Sequence, residues 1–402
     1  MREISTELIH HPYTPPGGFE APQPGVFKAS TVFFNTVAEM RSREWKDKSG
    51  YTYGLHGTPT TFLLEERLCL LEGGAQCLLV PSGLAAIAMA NLSLLKAGDE
   101  VLLPDNVYNN NKVLALGELR DWGISHQVYD PMDVRDLAAK IGPKTKLVWL
   151  EAAGSVTLEF PDLVEQVRLC RARGVLCVLD NTWGAGLAFN AFDLTPGAGS
   201  LGVDVSIHAL TKYPSGGGDV MMGSLITRDP GLHMQLKLTH MRLGLSVGAN
   251  DAEAVLRGLP SISLRYKAHD LAARELAAWA QQQPQFVQVL HPALPDSPGH
   301  AYWKTLCGGG APGTAAALFT VVVDDKFSQA KVDAFCDALK LFRLGYSWAG
   351  PISLVVPYEL MQMRRKWPAQ LKRGTVVRFF VGLESVADLQ ADLVQAMAQA
   401  LV

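Results

Sequence analysis

The stretch SIHALTKYPSGGGDVMMGS, residues 206–224, decides how this chain is read. Lys212 stands there among small, apolar and hydroxyl residues, with no carboxylate until Asp219 and three glycines, Gly216 to Gly218, close behind. An ammonium is strongly hydrated and asks for water or a counter-charge. A solvent-facing loop would meet that demand. So would an amine whose nitrogen is taken up in a covalent bond.

The residues upstream narrow the choice. Short apolar runs recur: QCLLVP (76–81), EVLLP (100–104), KLVWLE (146–151), VLCVLD (175–180), DVSIHAL (204–210) and GSLIT (223–227). Helical patterns lie between several of them, such as GLAAIAMANLSLLKAG (83–98), for which Gly98 is the expected stop, and PDLVEQVRLCRARG (161–174). Runs buried on both faces and separated by helices predict an α/β fold with a mostly parallel sheet and helices on its faces. We read residues 61–258 as this α/β domain. Residues 259–402, with KAHDLAARELAAWAQQQ, ALFTVVVD and ESVADLQADLVQAMAQALV, read as a smaller α+β domain. Residues 1–60, with Pro15, Pro16, Gly17, Gly18, Pro22 and Pro24, read as an extended arm that packs on something else, a neighbouring subunit included.

Ligands of open α/β sheets bind beyond the carboxyl ends of the strands. After the first run comes Pro81-Ser82-Gly83-Leu84, opening a helix whose free N–H groups can hold an anion. After the second comes Tyr108, whose ring can lie against a flat ligand. Asp180 closes the fourth run, and Thr211 and Lys212 follow the fifth, about one strand–helix–strand unit later. Each residue alone fits a turn, a helix cap or a packed core. Together they supply an anion cradle, an aromatic face, an acid for a ring nitrogen and an amine, which are the needs of pyridoxal 5′-phosphate (PLP) held as a lysine Schiff base.

Composition agrees with a buried globular chain. Hydrophobic residues make up 48% and charged residues 19% of 402, and the formal net charge is −3. No basic cluster suggests nucleic acid, and no run suggests a membrane span or a signal peptide. The cysteines, Cys69, Cys77, Cys170, Cys177, Cys307 and Cys336, form no CxxC pair, so we expect free thiols, no metal site and a cytoplasmic protein.

At these residues the chain closely resembles the Cys/Met-metabolism family of fold-type I PLP enzymes. The matching stretches are Tyr51–Thr60, Pro81-Ser82-Gly83, Tyr108, Asp180-Asn181-Thr182-Trp183-Gly184-Ala185-Gly186, Thr211-Lys212-Tyr213, Tyr346-Ser347-Trp348 and Arg378–Glu384. The Asp-Asn-Thr-Trp and Tyr-Ser-Trp forms are similar to those of the bacterial β-lyase subgroup. The resemblance implies a Schiff base on Lys212, a ring-nitrogen contact from Asp180 and ring stacking by Tyr108. It implies phosphate contacts from Gly83, Leu84, Thr211 and a neighbouring subunit's Tyr53. Ser347 and Arg378 would bind the substrate carboxylate, with Tyr346 and Trp348 beside them. The implied activity is a carbon–sulfur β-lyase splitting the thioether L-cystathionine into homocysteine, pyruvate and ammonia, a step towards methionine, in a homotetramer. A broader cysteine-S-conjugate lyase and a γ-lyase or γ-synthase are its rivals, and a PLP-binding regulator without turnover is the non-enzyme alternative.

The chain departs from the family pattern in three places. Leu55, beside His56, stands where an arginine usually reaches the phosphate. Ala209 stands where a serine precedes the lysine by three, and Ala152-Ala153 replace the Ser-Pro or Thr-Pro after the strand glutamate.

Overall fold

A computed structural model describes residues 2–12, 17–18 and 21–402. Pro15 and Pro16 of the expected arm lie outside the described residues. The apolar runs form a seven-stranded sheet: β1 (Gln76–Val80), β2 (Glu100–Pro104), β3 (Ser125–Tyr129), β4 (Thr145–Glu151), β5 (Leu176–Asp180), β6 (Val205–Ala209) and β7 (Gly223–Thr227), in the order β1-β7-β6-β5-β4-β2-β3. β7 runs antiparallel to both its neighbours, and the other pairs are parallel. The edge strand β3 was not legible as an apolar run, because its sequence SHQVY is exposed at its start.

The sheet is buried on both faces because its strands alternate. Leu79, Leu102, Leu150 and Leu179 point to one face, where they meet Leu64 and Leu68 of the helix Pro59–Glu72 and Val167 of the helix Leu163–Arg173. Leu78, Leu103, Trp149 and Val178 point to the other, against Ala86 and Ala90 of the helix Gly83–Leu94 and Leu236 of the helix Pro230–Leu243. A one-residue slip in any strand would send both sets to the wrong face. Each fully buried leucine contributes roughly 1.5–3 kcal/mol, so the register is strongly held.

One expectation needs correcting. The helix at Gly83 stops at Leu94, where Leu95 turns extended. Gly98 (φ 93°) lies in the turn beyond, its N–H donating to the Gly123 carbonyl at 2.8 Å. The arm also packs partly on its own chain: Leu8, on the helix Ile4–Ile9, is buried in the core under the large sheet.

The second sheet has five strands, β8 (Phe286–Leu290), β9 (Leu318–Val323), β10 (Arg343–Leu344), β11 (Leu354–Tyr358) and β12 (Thr375–Phe380), in the order β10-β11-β12-β9-β8. Apart from the short parallel pair β10–β11 it is antiparallel. Its core is shared with the helices Ile262–Ala280, Gln329–Ala338 and Val386–Ala400. All six cysteines are free thiols. Among the described residues no helix is long and apolar enough to cross a membrane.

Candidate active site

The parallel strands β1, β2, β4, β5 and β6 end at one edge of the large sheet, and each delivers a polar residue there. Because β7 returns antiparallel, the link between β6 and β7 needs no crossover helix. Residues 210–222 therefore loop directly above the end of β6, carrying Thr211 and Lys212.

Lys212 has no carboxylate partner among the described residues. Its Nζ donates to Ser347 Oγ at 2.8 Å and lies 5.3 Å from the centre of the Trp348 ring. Burial lowers its pKa to about 8, and the like charge of Arg378 pushes the same way against Asp180. The residue that looked unpaired in sequence is unpaired in space as well.

Arg378, on β12, is only 7% exposed and also lacks a carboxylate partner among the described residues. Its Nε is buried without a hydrogen bond, and an NH2 group reaches the Ser347 carbonyl only at 3.5 Å. A buried guanidinium with spare donors is costly unless a ligand completes it. Tyr346 is 86% exposed at the rim. Trp348 packs edge-on against Tyr213 at 5.6 Å.

Asp180 ends β5, and its Oδ1 accepts from the Thr182 N–H at 3.0 Å. Burial raises its pKa against that N–H, and no cation among the described residues forms an ion pair with it. β4 aligns Glu151 beside Asp180. Burial, and then the Asp180 charge, push the Glu151 carboxyl well above its usual range, and its Oε2 accepts from the Tyr108 N–H at 2.8 Å. Glu151 was missed in sequence, although a glutamate closing the run KLVWLE was its signal. On the opposite face, buried Glu72 bonds Asn181 (2.8 Å), Ser206 (3.0 Å) and His208 (2.8 Å), tying the ends of β5 and β6 together. Trp183 is core, edge-on to Phe160 at 5.9 Å.

Gly83 opens its helix so close to β6 that a Cβ there would lie 2.6 Å from the Ala209 methyl. The first-turn N–H groups of Gly83 and Leu84 have no intrahelical partner. Thr211 Oγ1 is tied to the Met222 N–H and carbonyl, both at 3.3 Å. Tyr53 stands apart: its ring meets His56 edge-on at 6.3 Å, and it lines a cleft with Lys28, Leu55 and Gly248, none of them a cluster residue. At the position of the family's arginine stands Leu55; beside it His56 stacks on Trp45, and burial lowers the His56 pKa, while Lys28 lines the same cleft as Tyr53.

A sequence model described as Cys/Met metabolism PLP-dependent enzyme matches residues 5–398. The chain belongs to that family. A cystathionine β-lyase of Salmonella typhimurium is 35% identical over 378 residues, 92% of each chain. One from Bordetella avium is 35% identical over 408 residues, 99% of this chain and 98% of its own. Among solved structures, a cystathionine γ-synthase of Xanthomonas oryzae pv. oryzae in complex with cystathionine is similar with a TM-score of 0.87 at 27% identity, covering 100% of this chain and 99% of that one.

The fold is that of fold-type I PLP enzymes, and this family member uses PLP. The cleft residues fit the group. An unpaired amine, an unpaired carboxylate and a helix start that excludes a Cβ meet at one edge.

Proposed function

We propose that this enzyme is a carbon–sulfur β-lyase that cleaves L-cystathionine, with water, to homocysteine, pyruvate and ammonia. The observation that carries the reading is a half-buried amine and a buried guanidinium, Lys212 and Arg378, both without a carboxylate partner among the described residues and both reaching Ser347. The first is a base in waiting, and the second is a socket for a substrate carboxylate.

On this reading Lys212 would hold the cofactor through its amine, Asp180 would pair with the ring nitrogen, Tyr108 would stack on the ring, and Gly83, Leu84 and Thr211 would hold the phosphate. Tyr53 would reach the phosphate of a neighbouring copy in an oligomer. When bound, PLP supplies the electron sink that spreads the charge left as the Cα proton departs. Arg378 takes the substrate carboxylate in two parallel bonds, fixing the Cα–H direction. Once free, the Lys212 amine would be the base that takes the Cα proton. Ser347 steers that amine, and Lys212 returns the proton to the departing sulfur. The near-neutral pKa of Lys212 suits it to both transfers.

The β-lyase names of two relatives and the Asp-Asn-Thr-Trp form support β over γ chemistry. The γ-synthase likeness favours a second reading, in which a further proton leaves Cβ. Purified holoenzyme mixed with L-cystathionine separates them: pyruvate supports the proposal, and 2-oxobutyrate overturns it for the γ reading. L-cystine in place of L-cystathionine reports how broad the leaving-thiol pocket is. Exchange of the Cα proton with solvent and no keto acid would mean that elimination does not follow proton removal.

A further inference from the structure

We propose that Tyr358 is a positioning residue: its ring holds the Arg378 guanidinium in the plane that receives a substrate carboxylate. The inference rests on the carboxylate role of Arg378 given above and deepens it.

The antiparallel register pairs Val356 of β11 with Arg378 of β12. Tyr358, two residues further on, shares the face of Val356 and stands diagonal to Arg378, within reach of a long side chain. The guanidinium carbon lies 5.4 Å from the centre of the Tyr358 ring, inside cation–π range. Little else fixes this group. The guanidinium has no carboxylate among the described residues, its Nε has no hydrogen bond, and its contact with the Ser347 carbonyl is at the 3.5 Å limit. A planar fork accepts two parallel bonds only when it is already turned to meet them, and the ring facing the guanidinium supplies that turn.

The contact is made by the ring and not the hydroxyl. The Tyr358 hydroxyl makes no hydrogen bond among the described residues, whereas the Tyr346 and Tyr108 phenols and Arg378 lie within its electrostatic reach. Phenylalanine should therefore serve as well, and an aliphatic side chain of similar bulk should not. Tyr358 also packs beside Leu360 and Val376, so a purely structural role is the competing account.

The test titrates holoenzyme with two amines, L-alanine, which has a carboxylate, and ethylamine, which has none, following the visible absorption of the bound cofactor. Tyr358→Leu and Tyr358→Met should weaken L-alanine on the order of tenfold, the scale of a desolvated cation–π contact, and leave ethylamine unchanged. Tyr358→Phe should stay within about twofold of the parent. Arg378→Leu is the control for the underlying reading. If Arg378→Leu weakens L-alanine alone and Tyr358→Leu does not, the positioning role is wrong and the reading of Arg378 stands. If Arg378→Leu leaves L-alanine binding intact, both fall. Equal loss for the two amines in Tyr358→Leu and Tyr358→Met, or loss in Tyr358→Phe, would reduce Tyr358 to packing.

Discussion

Lys212 and Ser347 are 135 residues apart in sequence, and their side chains meet at 2.8 Å. One follows the large sheet's β6, and the other lies between β10 and β11 of the small sheet. The amine is thus steered by a hydroxyl from the other sheet, and the two sheets must be correctly apposed for the amine to point anywhere useful. On the proposed reading, Lys212→Ala loses turnover by roughly 10²–10⁴-fold or more, the usual worth of a general base. Ser347→Ala keeps the base and loses its steering, so kcat should drop on the order of tenfold. Steady-state pyruvate release measures both, and a normal rate in Lys212→Ala removes that residue from the mechanism.

The same amine predicts a pH dependence. Burial, then Arg378, bring the Lys212 pKa from 10.5 to about 8 in the folded chain. Between those values the unfolded chain holds a proton that the folded chain has released. Stability from this group therefore rises with pH across that window and is flat below it. Urea unfolding of the cofactor-free protein, compared with Lys212→Met, isolates the effect. The difference between the two should shrink from pH 8 to pH 10.5, and a constant difference would mean that the amine is not buried as a charge. Attachment of added cofactor should likewise speed up through pH 8 and level above it, because only the neutral amine is nucleophilic.

What could be read in the sequence follows from where the information sits. QCLLV, EVLLP, KLVWLE and VLCVLD announce themselves because a doubly buried strand has no polar face. The residue after each run is then placed at the sheet edge by topology alone, which is how Asp180, Tyr108 and Lys212 came into view together. Glu151 went unread because a buried carboxylate next to another is recognisable only once β4 and β5 are aligned. Tyr358 and Glu72 were invisible for the same reason: one depends on the β11–β12 register and the other on a helix end meeting two strands. The stop at Gly98 was misjudged because the helix ends by turning extended at Leu95, with no glycine at its end.

Gly83 makes a sharper test of the cradle than any charged residue does. An added methyl would meet the Ala209 methyl at 2.6 Å, closer than real side-chain carbons approach. Gly83→Ala must then push the helix start away from the end of β6, at a cost of about 1–3 kcal/mol. Cofactor retention, measured by dialysis against buffer, should weaken on the order of tenfold. Trimming the opposing methyl should relieve the clash, so Gly83→Ala with Ala209→Gly should retain the cofactor better than Gly83→Ala alone. Simple addition of the two single effects would show that the contact is not what matters.

The last prediction concerns the ion pair that anchors the loop after β11. Arg364, buried, bonds Glu159 and the Thr157 hydroxyl, and Asn106 and Gln370 also donate to Glu159. Just before it, the Met363 carbonyl accepts from Lys112, whose ammonium also bonds the Asp105 carbonyl at 2.9 Å, three residues before Tyr108. The pair thus fastens a loop of the small sheet beside the turn that bears Tyr108. Removing one partner strands a charge that water cannot reach, so Arg364→Met should cost about 3–5 kcal/mol in urea unfolding. Replacing both charges restores an apolar contact, and Arg364→Met with Glu159→Leu should recover most of that loss. If the double variant is no more stable than Arg364→Met, the hydrogen bonds that Glu159 accepts from Asn106, Gln370 and the Thr157 hydroxyl, and not the ion pair, hold the loop in place.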